Sequence, residues 1–457
     1  MYNVYVAKVK NIRPAENADR LNLCEVFGNT TVVDKNVNEN DLYLYFPVDG
    51  QISEEFGEAN NLFRKKDDAG NQIGGFIDSA KRNIQAIKLR GNRSDGLVLP
   101  LSALAIFGDT SGLAEGDVVT VFNGHEIARK YIPRTSHRAH QTGAGNRTRK
   151  KKAPIAPLFA EHADTEQLAY NLSAFRPGDE IEITLKMHGT SQRTGYLPIL
   201  KKYKRTLLDR LLRRDGKPIY EYDYVSGTRR VVLENYEGGF YGDNGFREQH
   251  SKAFEGKLMK GETVYYEVVG FTDSGTPIMG QAANKKTQDK DFIKQYGEIT
   301  TFSYGCTPIV SIDCDDVQSD IYVYRMTMTN EDGFVVEYTP DFMRYRCEQM
   351  GVKCVPMFEK FIIPEEPMRL EDELDLNAGV VSITAGEYVK NKAEQFYDGP
   401  DPIGKTHIRE GVVVRIINRP KFCAYKHKNW FFKALEGIIK ASAEAPDMEE
   451  AQEEVVK

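Results

Sequence analysis

The sequence predicts an α+β chain in which a small amino-terminal β-barrel precedes a larger domain of mixed strands and helices. Three observations carry this. Up to about residue 125, six short strands alternate with turns: Tyr2 to Val9, Leu23 to Phe27, Leu42 to Phe46, Ile84 to Lys88, Gly96 to Pro100 and Val118 to Phe122. That density suits a small barrel. Beyond Pro154, strands are separated by helical or irregular stretches such as Lys201 to Arg214, Arg247 to Met259 and Pro340 to Gly351, an α+β pattern. Between the two lies His137 to Ala153, polar, basic and without hydrophobic period, which reads as a flexible linker. The expected organisation is a barrel over 1–125, a basic linker over 126–153, the large domain over 154–435 and an acidic tail over 436–457.

The chain has 457 residues, 40% hydrophobic and 28% charged, room for two or three ordinary domains. Met1 to Asn11 mixes lysines into short apolar runs and no apolar run reaches 18 residues, so a cytoplasmic protein with no membrane contact is expected. The six cysteines show no C-x-x-C spacing, which indicates neither a zinc site nor a disulfide framework. A net charge of −6 argues at first against a nucleic-acid partner, because phosphate binding is driven by cations. Distribution matters more than the sum: Arg129 to Lys152 carries nine lysines and arginines without an acid, whereas Glu444, Asp447, Glu449, Glu450, Glu453 and Glu454 crowd the tail.

In the barrel, Asn11 to Leu21 and Ile87 to Leu101 resemble the oligonucleotide-binding barrels of tRNA-binding modules. That resemblance makes Lys88, Arg90 and Arg93 candidate contacts to a nucleic-acid backbone. The competing reading is a solvated hairpin beside a turn that caps a barrel strand. In the large domain, Glu365 to Asp401 is acidic and irregular, with no legible role.

The chemistry gathers around Ile181 to Arg193, I-E-I-T-L-K-M-H-G-T-S-Q-R. Alternating β-formers end at Lys186 and Gly189 follows, so the amine is expected where a strand gives way to a tight turn, at the lip of a pocket. A lysine there acts as a nucleophile only if burial and neighbouring cations keep it neutral part of the time. Strand parity puts Glu267 on one face with Tyr265 and Val269, and puts Glu410, which opens its strand, with Val412, Val414 and Ile416. A carboxylate on so apolar a face calls for a cation or a hydrogen-bond donor: a divalent metal, a ribose hydroxyl or simply an arginine. Lys426 and Lys428 are two apart in a strand and point the same way, an arrangement stabilised by a phosphate between them or left as a solvated basic edge.

Taken in order, K-M-H-G-T at Lys186 to Thr190, Y-Y-E-V-V-G-F at Tyr265 to Phe271, I-Y-V-Y-R-M at Ile321 to Met326, R-E-G-V-V-V-R at Arg409 to Arg415 and A-Y-K-H-K at Ala424 to Lys428 resemble the covalent nucleotidyltransferase superfamily of polynucleotide ligases and RNA-capping enzymes. The K-x-H-G-T form resembles its nick-sealing RNA ligases, in particular the Deinococcus-type enzymes with a barrel domain ahead of an adenylyltransferase domain. The resemblance implies an ATP-dependent RNA ligase using Mg²⁺ or Mn²⁺. Lys186 would take AMP from ATP, Glu267 would hold the ribose, Tyr324 would stack on adenine and Glu410 would bind the metal. Lys426 and Lys428 would contact the α-phosphate, with His188 and Gly189 in the nucleotide site. Arg229 or Arg230, in S-G-T-R-R, would supply a further contact. Ser191 stands where part of the family has asparagine. The implied partner is RNA or an RNA-containing nicked duplex, with no stable protein partner. The alternatives are a DNA ligase, a capping enzyme, or a non-catalytic RNA-binding protein with a ligase-like fold. Both a DNA ligase and a capping enzyme are expected to continue into a further barrel after the last motif, and only about two dozen residues follow Lys433.

Overall fold

A computed structural model describes residues 2–66, 69, 72–132, 154–212, 216–233, 236, 245–309, 317–365, 368–369 and 382–441. The basic run His137 to Ala153, the acids of the tail and the middle of Glu365 to Asp401 lie outside the described residues. Two compact units are built from interleaved stretches of chain: one from Met1–Arg134, Ala282–Thr300 and Trp430–Glu444, the other from Thr135–Gln281, Thr301–Asn429 and Ala445–Lys457.

The first unit holds two three-stranded antiparallel sheets. Tyr5–Lys8 pairs with Leu42–Phe46, which pairs with Leu97–Pro100; Lys10–Pro14, Leu21–Val26 and Asn29–Asp34 form the other. The first of these sheets packs into a core that includes Val4, Val6, Leu44, Phe46, Ile52, Phe56 and Ile127. The turn after Pro14 is fastened rather than free: the Glu16 N–H donates to Asn92 Oδ1 (3.0 Å) and Asn92 Nδ2 donates back to the Glu16 carbonyl (2.7 Å). The predicted start of the linker at 126 is corrected. Ile127 is fully buried and Ala128–Lys130 pairs with Gly50–Ile52, because this apolar pair completes the core before the basic run begins.

The expected end of the large domain at 435 is corrected too. Trp430–Ala441 is one helix, and it belongs to the first unit. Phe432 and Leu435 are fully buried, Phe431 stacks on Phe292 at 4.4 Å, Gln85 Nε2 donates to the Gly437 carbonyl at 3.3 Å, and Lys433 is bonded to Asp95. The same contacts continue the helix past 436, where a tail was expected.

The second unit is built on two sheets. The larger orders Val232–Leu233, Lys217–Gly227, Thr190–Lys204, Glu262–Gly270, Ser319–Thr329 and Val335–Glu337, with Lys353–Cys354 added in parallel to Ser319–Thr329. The smaller orders Glu166–Gln167, Cys423–Lys428, Gly411–Ile416, Glu180–Lys186 and Met357–Ile362. Lys201 to Lys204, expected to open a helical or irregular stretch, are instead the end of the long strand Thr190–Lys204, whose hairpin partner Lys217–Gly227 matches it residue for residue over most of its length. The helix Pro340–Met350 starts on a Thr339 cap and Pro340, and stops at Gly351 in the left-handed region, the expected terminators. Within the unread acidic segment, a capping box of Thr384 and Glu387 starts the helix Ala385–Glu394, which lays Val389 and Ala393 against Ile181, Ile183, Val412 and Val414 of the smaller sheet.

Candidate active site

The chain passes from one sheet to the other through three residues. Glu180–Lys186 ends in the smaller sheet, Met187 to Gly189 turn, and Thr190 opens the central strand of the larger sheet. Lys186 therefore stands between the sheets because the sequence ends its β-run there. The turn is tight enough to require glycine: a Cβ on Gly189 would lie 2.5 Å from the Val268 carbonyl oxygen and 2.8 Å from Glu267 Cγ. The Arg247 guanidinium, itself buried, donates to the Ser191 carbonyl at 3.2 Å and to Thr190 Oγ1, and the Tyr304 hydroxyl accepts from the His188 N–H at 2.7 Å.

One group of expected residues converges on Glu410. Its carboxylate is 2% exposed; Oε1 lies 2.6 Å from Lys186 Nζ and 3.4 Å from Lys428 Nζ, and Oε2 lies 3.8 Å from His188 Nδ1. The His188 ring stands edge-on to Phe302 at 4.6 Å. Gly411, beside Lys428 in the register, sits at φ 144° and would place a Cβ 2.0 Å from the His427 carbonyl oxygen. The glycine after Glu410 thus lets the two strands close. Lys426 and Lys428 share a face of Cys423–Lys428, while His427 points the other way, to Glu394 (3.4 Å) and a stacked Tyr397 (4.9 Å). The acidic segment without a legible role therefore fixes the roll of the lysine strand.

A second group lies across the Gly189 turn. Ser191 Oγ is 3.2 Å from Glu267 Oε2 and 3.4 Å from the Tyr324 hydroxyl. Tyr324 is the extra residue of a β-bulge: Tyr265 pairs with Arg325 and Tyr266 with Val323, leaving Tyr324 without a position in the register. Bulges re-aim side chains at sites of this kind. Tyr265, expected on the face of Glu267, donates to the Ala160 carbonyl at 3.0 Å and lies under Arg325 at 4.5 Å. Both Arg229 (3.7 Å) and Arg230 (2.9 Å) reach Asp164, but the charge of Arg229 is the one that acts on His162, which hydrogen-bonds Tyr324.

Sequence reasoning missed His162, Arg247 and Tyr304. None sits in a periodic segment that marks it, and each is brought to the turn by a contact distant in sequence. Lys88, Arg90 and Arg93 are in the first unit. Lys88 is 18% exposed and bonded to Asp289 at 3.0 Å, and Arg93 lies 4.3 Å over Phe431; these two cations have internal partners, while Arg90 is exposed in a turn at φ 48°.

Among the described residues no three histidines, cysteines, aspartates or glutamates cluster as a metal cage. Glu410 offers a hard divalent ion one buried carboxylate, so an ion held there would draw its other oxygen ligands from outside the protein, as magnesium commonly does. The five described cysteines are free, and among the described residues no helix is long and apolar enough to cross a membrane.

A family model described as an OB-fold domain matches residues 3–101. None of the curated proteins matches the chain. Among solved structures, a Naegleria gruberi RNA ligase with pyrophosphate is similar at a TM-score of 0.53 and 18% identity, covering 93% of this chain and 96% of that one. A lysine-to-alanine variant of the same ligase with ATP and manganese is similar at 0.51 and 15%, covering 94% and 98%. The chain has an RNA ligase-like fold. The OB-fold match precedes a mixed α+β body, in the order expected from the short strands of residues 1–125, and at this identity the likeness to the ligase speaks to the fold alone.

Proposed function

We propose that the protein is an ATP-dependent RNA ligase that seals 3′-hydroxyl and 5′-phosphate ends through a lysyl-AMP intermediate. The observation that supports it most is the meeting of Lys186, Lys428 and Glu410 on one buried carboxylate, with Glu267, Ser191 and Tyr324 across a three-residue turn. Lys186 is the amine that attacks the α-phosphorus of ATP, and pyrophosphate leaves. Lys426 and Lys428 face that phosphorus and offset the charge that develops on it, which is where most of the rate in phosphoryl-type transfer comes from. Glu267 takes the ribose and Tyr324 the base. The AMP then passes to a 5′-phosphate, a 3′-hydroxyl attacks in line, and AMP is released.

Glu410 is the residue that holds a divalent cation, Mg²⁺ or Mn²⁺. Such an ion supplies charge that offsets the carboxylate and the phosphate oxygens. Without it, Glu410 keeps Lys186 in an ion pair, so the carboxylate also holds the amine at the lip of the site. The expected result with α-labelled ATP is a covalently labelled chain in the wild type and none in Lys186→Ala. Label persisting in that variant would move the nucleophile elsewhere.

A further inference from the structure

The segment Ala156 to Asp164 precedes every motif, yet it is fastened to the nucleotide side of the site. The Ala160 carbonyl accepts from Arg193 (2.5 Å) and from the Tyr265 hydroxyl (3.0 Å). The His162 N–H donates to the Arg229 carbonyl (3.1 Å). The His162 ring stands edge-on to Tyr324 at 5.6 Å, with Nδ1 3.2 Å from the tyrosine hydroxyl. Burial, with the charges of Arg229, Arg325 and Arg193 and against that of Asp164, pushes the imidazole down to about 3. At working pH the ring is neutral, and a neutral imidazole accepts at one nitrogen.

A chain of hydrogen bonds follows. The Tyr324 hydroxyl is bonded to His162 Nδ1 at 3.2 Å, the tyrosine oxygen lies 3.4 Å from Ser191 Oγ, and Ser191 donates to Glu267 Oε2 at 3.2 Å. Tyr324 is a bulge residue with no position in the strand register, so the ladder alone does not set the direction of its ring. We propose that His162 is a positioning residue of the nucleotide site: by its hydrogen bond to the Tyr324 hydroxyl it fixes the plane of the base-stacking ring, and through Ser191 it ties that ring to the ribose-binding Glu267. This rests on the reading of the site as an ATP site.

The test is self-adenylylation of the full chain with labelled ATP and Mg²⁺, comparing wild type, His162→Ala, Tyr324→Phe, the double variant and His162→Asn. Loss of one buried hydrogen bond corresponds to a rise in KM for ATP of roughly 5- to 20-fold. That rise is expected in His162→Ala and in Tyr324→Phe with kcat little changed, and the double variant is expected to be no worse than either of these, because both remove the same bond. His162→Asn, which keeps an acceptor near the position of Nδ1, is expected to recover most of the wild-type KM. A double variant whose KM rises by the product of the two single effects overturns the assignment, as does His162→Ala with an unaltered KM. Should His162→Ala fail to fold, Tyr324→Phe and His162→Asn decide: a wild-type KM in the asparagine variant with a raised one in Tyr324→Phe supports the assignment, and equal defects in both overturn it. A wild-type chain that neither binds ATP nor takes label overturns the functional reading and the assignment together, whereas a labelled wild type with indifferent variants overturns the assignment alone.

Discussion

In the proposed site Glu410 has two tasks, holding a cation and holding Lys186, and a substitution that removes only its charge bears on both. Glu410→Gln keeps the volume and one acceptor oxygen but loses the charge that a hard cation needs. Self-adenylylation at fixed Mg²⁺ is expected to fall by about 10²-fold or more, with the fall partly reversed at higher metal; a metal titration identical to wild type would remove Glu410 from the metal site. A second residue-scale prediction concerns acid. Burial pushes His250 down to about 4 from an ordinary 6.5, against the opposing charge of Asp320, while its Nε2 stays 2.8 Å from Ser319 Oγ. The unfolded chain takes up a proton below about 6.5 and the folded chain does not until near 4, so the stability contributed by neutral His250 is complete above the unfolded value and is lost as pH falls through that window. The loss is at most about 1.4 kcal/mol per pH unit for this group. Urea midpoints measured at pH 7 and pH 5 are expected to converge in His250→Asn relative to wild type; an equal drop in both chains contradicts the assignment.

At the scale of elements, what the sequence shows is where strands end, and what it hides is what they meet. The end of a strand at Lys186 and the shared face of Lys426 and Lys428 follow from period-two patterning, and the structure has them, while the strand expected to open at Glu410 begins one residue later, at Gly411. The bulge at Tyr324 is invisible in the sequence, because a bulge is a mismatch between two strands rather than a property of one. Lys201 to Lys204 read as part of a helical or irregular stretch, whereas the pairing of Lys202, Tyr203 and Lys204 with Ile219, Pro218 and Lys217 keeps them in the strand. On the sequence the helix Trp430–Ala441 is divided between the large domain, to 435, and the acidic tail, from 436; its partners, Phe292 and the strand Ala86–Leu89, lie far away in sequence. The turn between the sheets gives the element-scale test. Gly189→Ala must push the turn off the Val268 carbonyl, so a loss of roughly 1–3 kcal/mol is expected in chemical unfolding of the second unit, together with weaker self-adenylylation. Unchanged stability and labelling would mean that the turn is looser than its geometry indicates.

For the molecule as a whole, the OB-fold residues do not form their unit alone. Asp95, Gln85, Arg93 and Lys88 are engaged by residues of Ala282–Thr300 and of the helix Trp430–Ala441. Leu435→Ala, at a fully buried position of that helix, is expected to cost about 2–5 kcal/mol in the unfolding of the first unit, while ATP labelling of Lys186 persists wherever the second unit stays folded. Loss of labelling along with the first unit would contradict this division. Residues 1–125 are expected to matter for sealing far more than for self-adenylylation, because every motif residue that meets at Glu410 and Glu267 belongs to the other unit. The central claim is that the substrate is RNA on the 3′-hydroxyl side of a nick, where the 2′-hydroxyl and A-form shape separate the two sugars while the phosphates are alike. Four nicked duplexes, with ribose or deoxyribose on each side of the break, measure it directly. Sealing is expected when the 3′-hydroxyl end is RNA, with deoxyribose there costing far more than on the 5′-phosphate strand; equal sealing of the all-DNA nick would contradict the account.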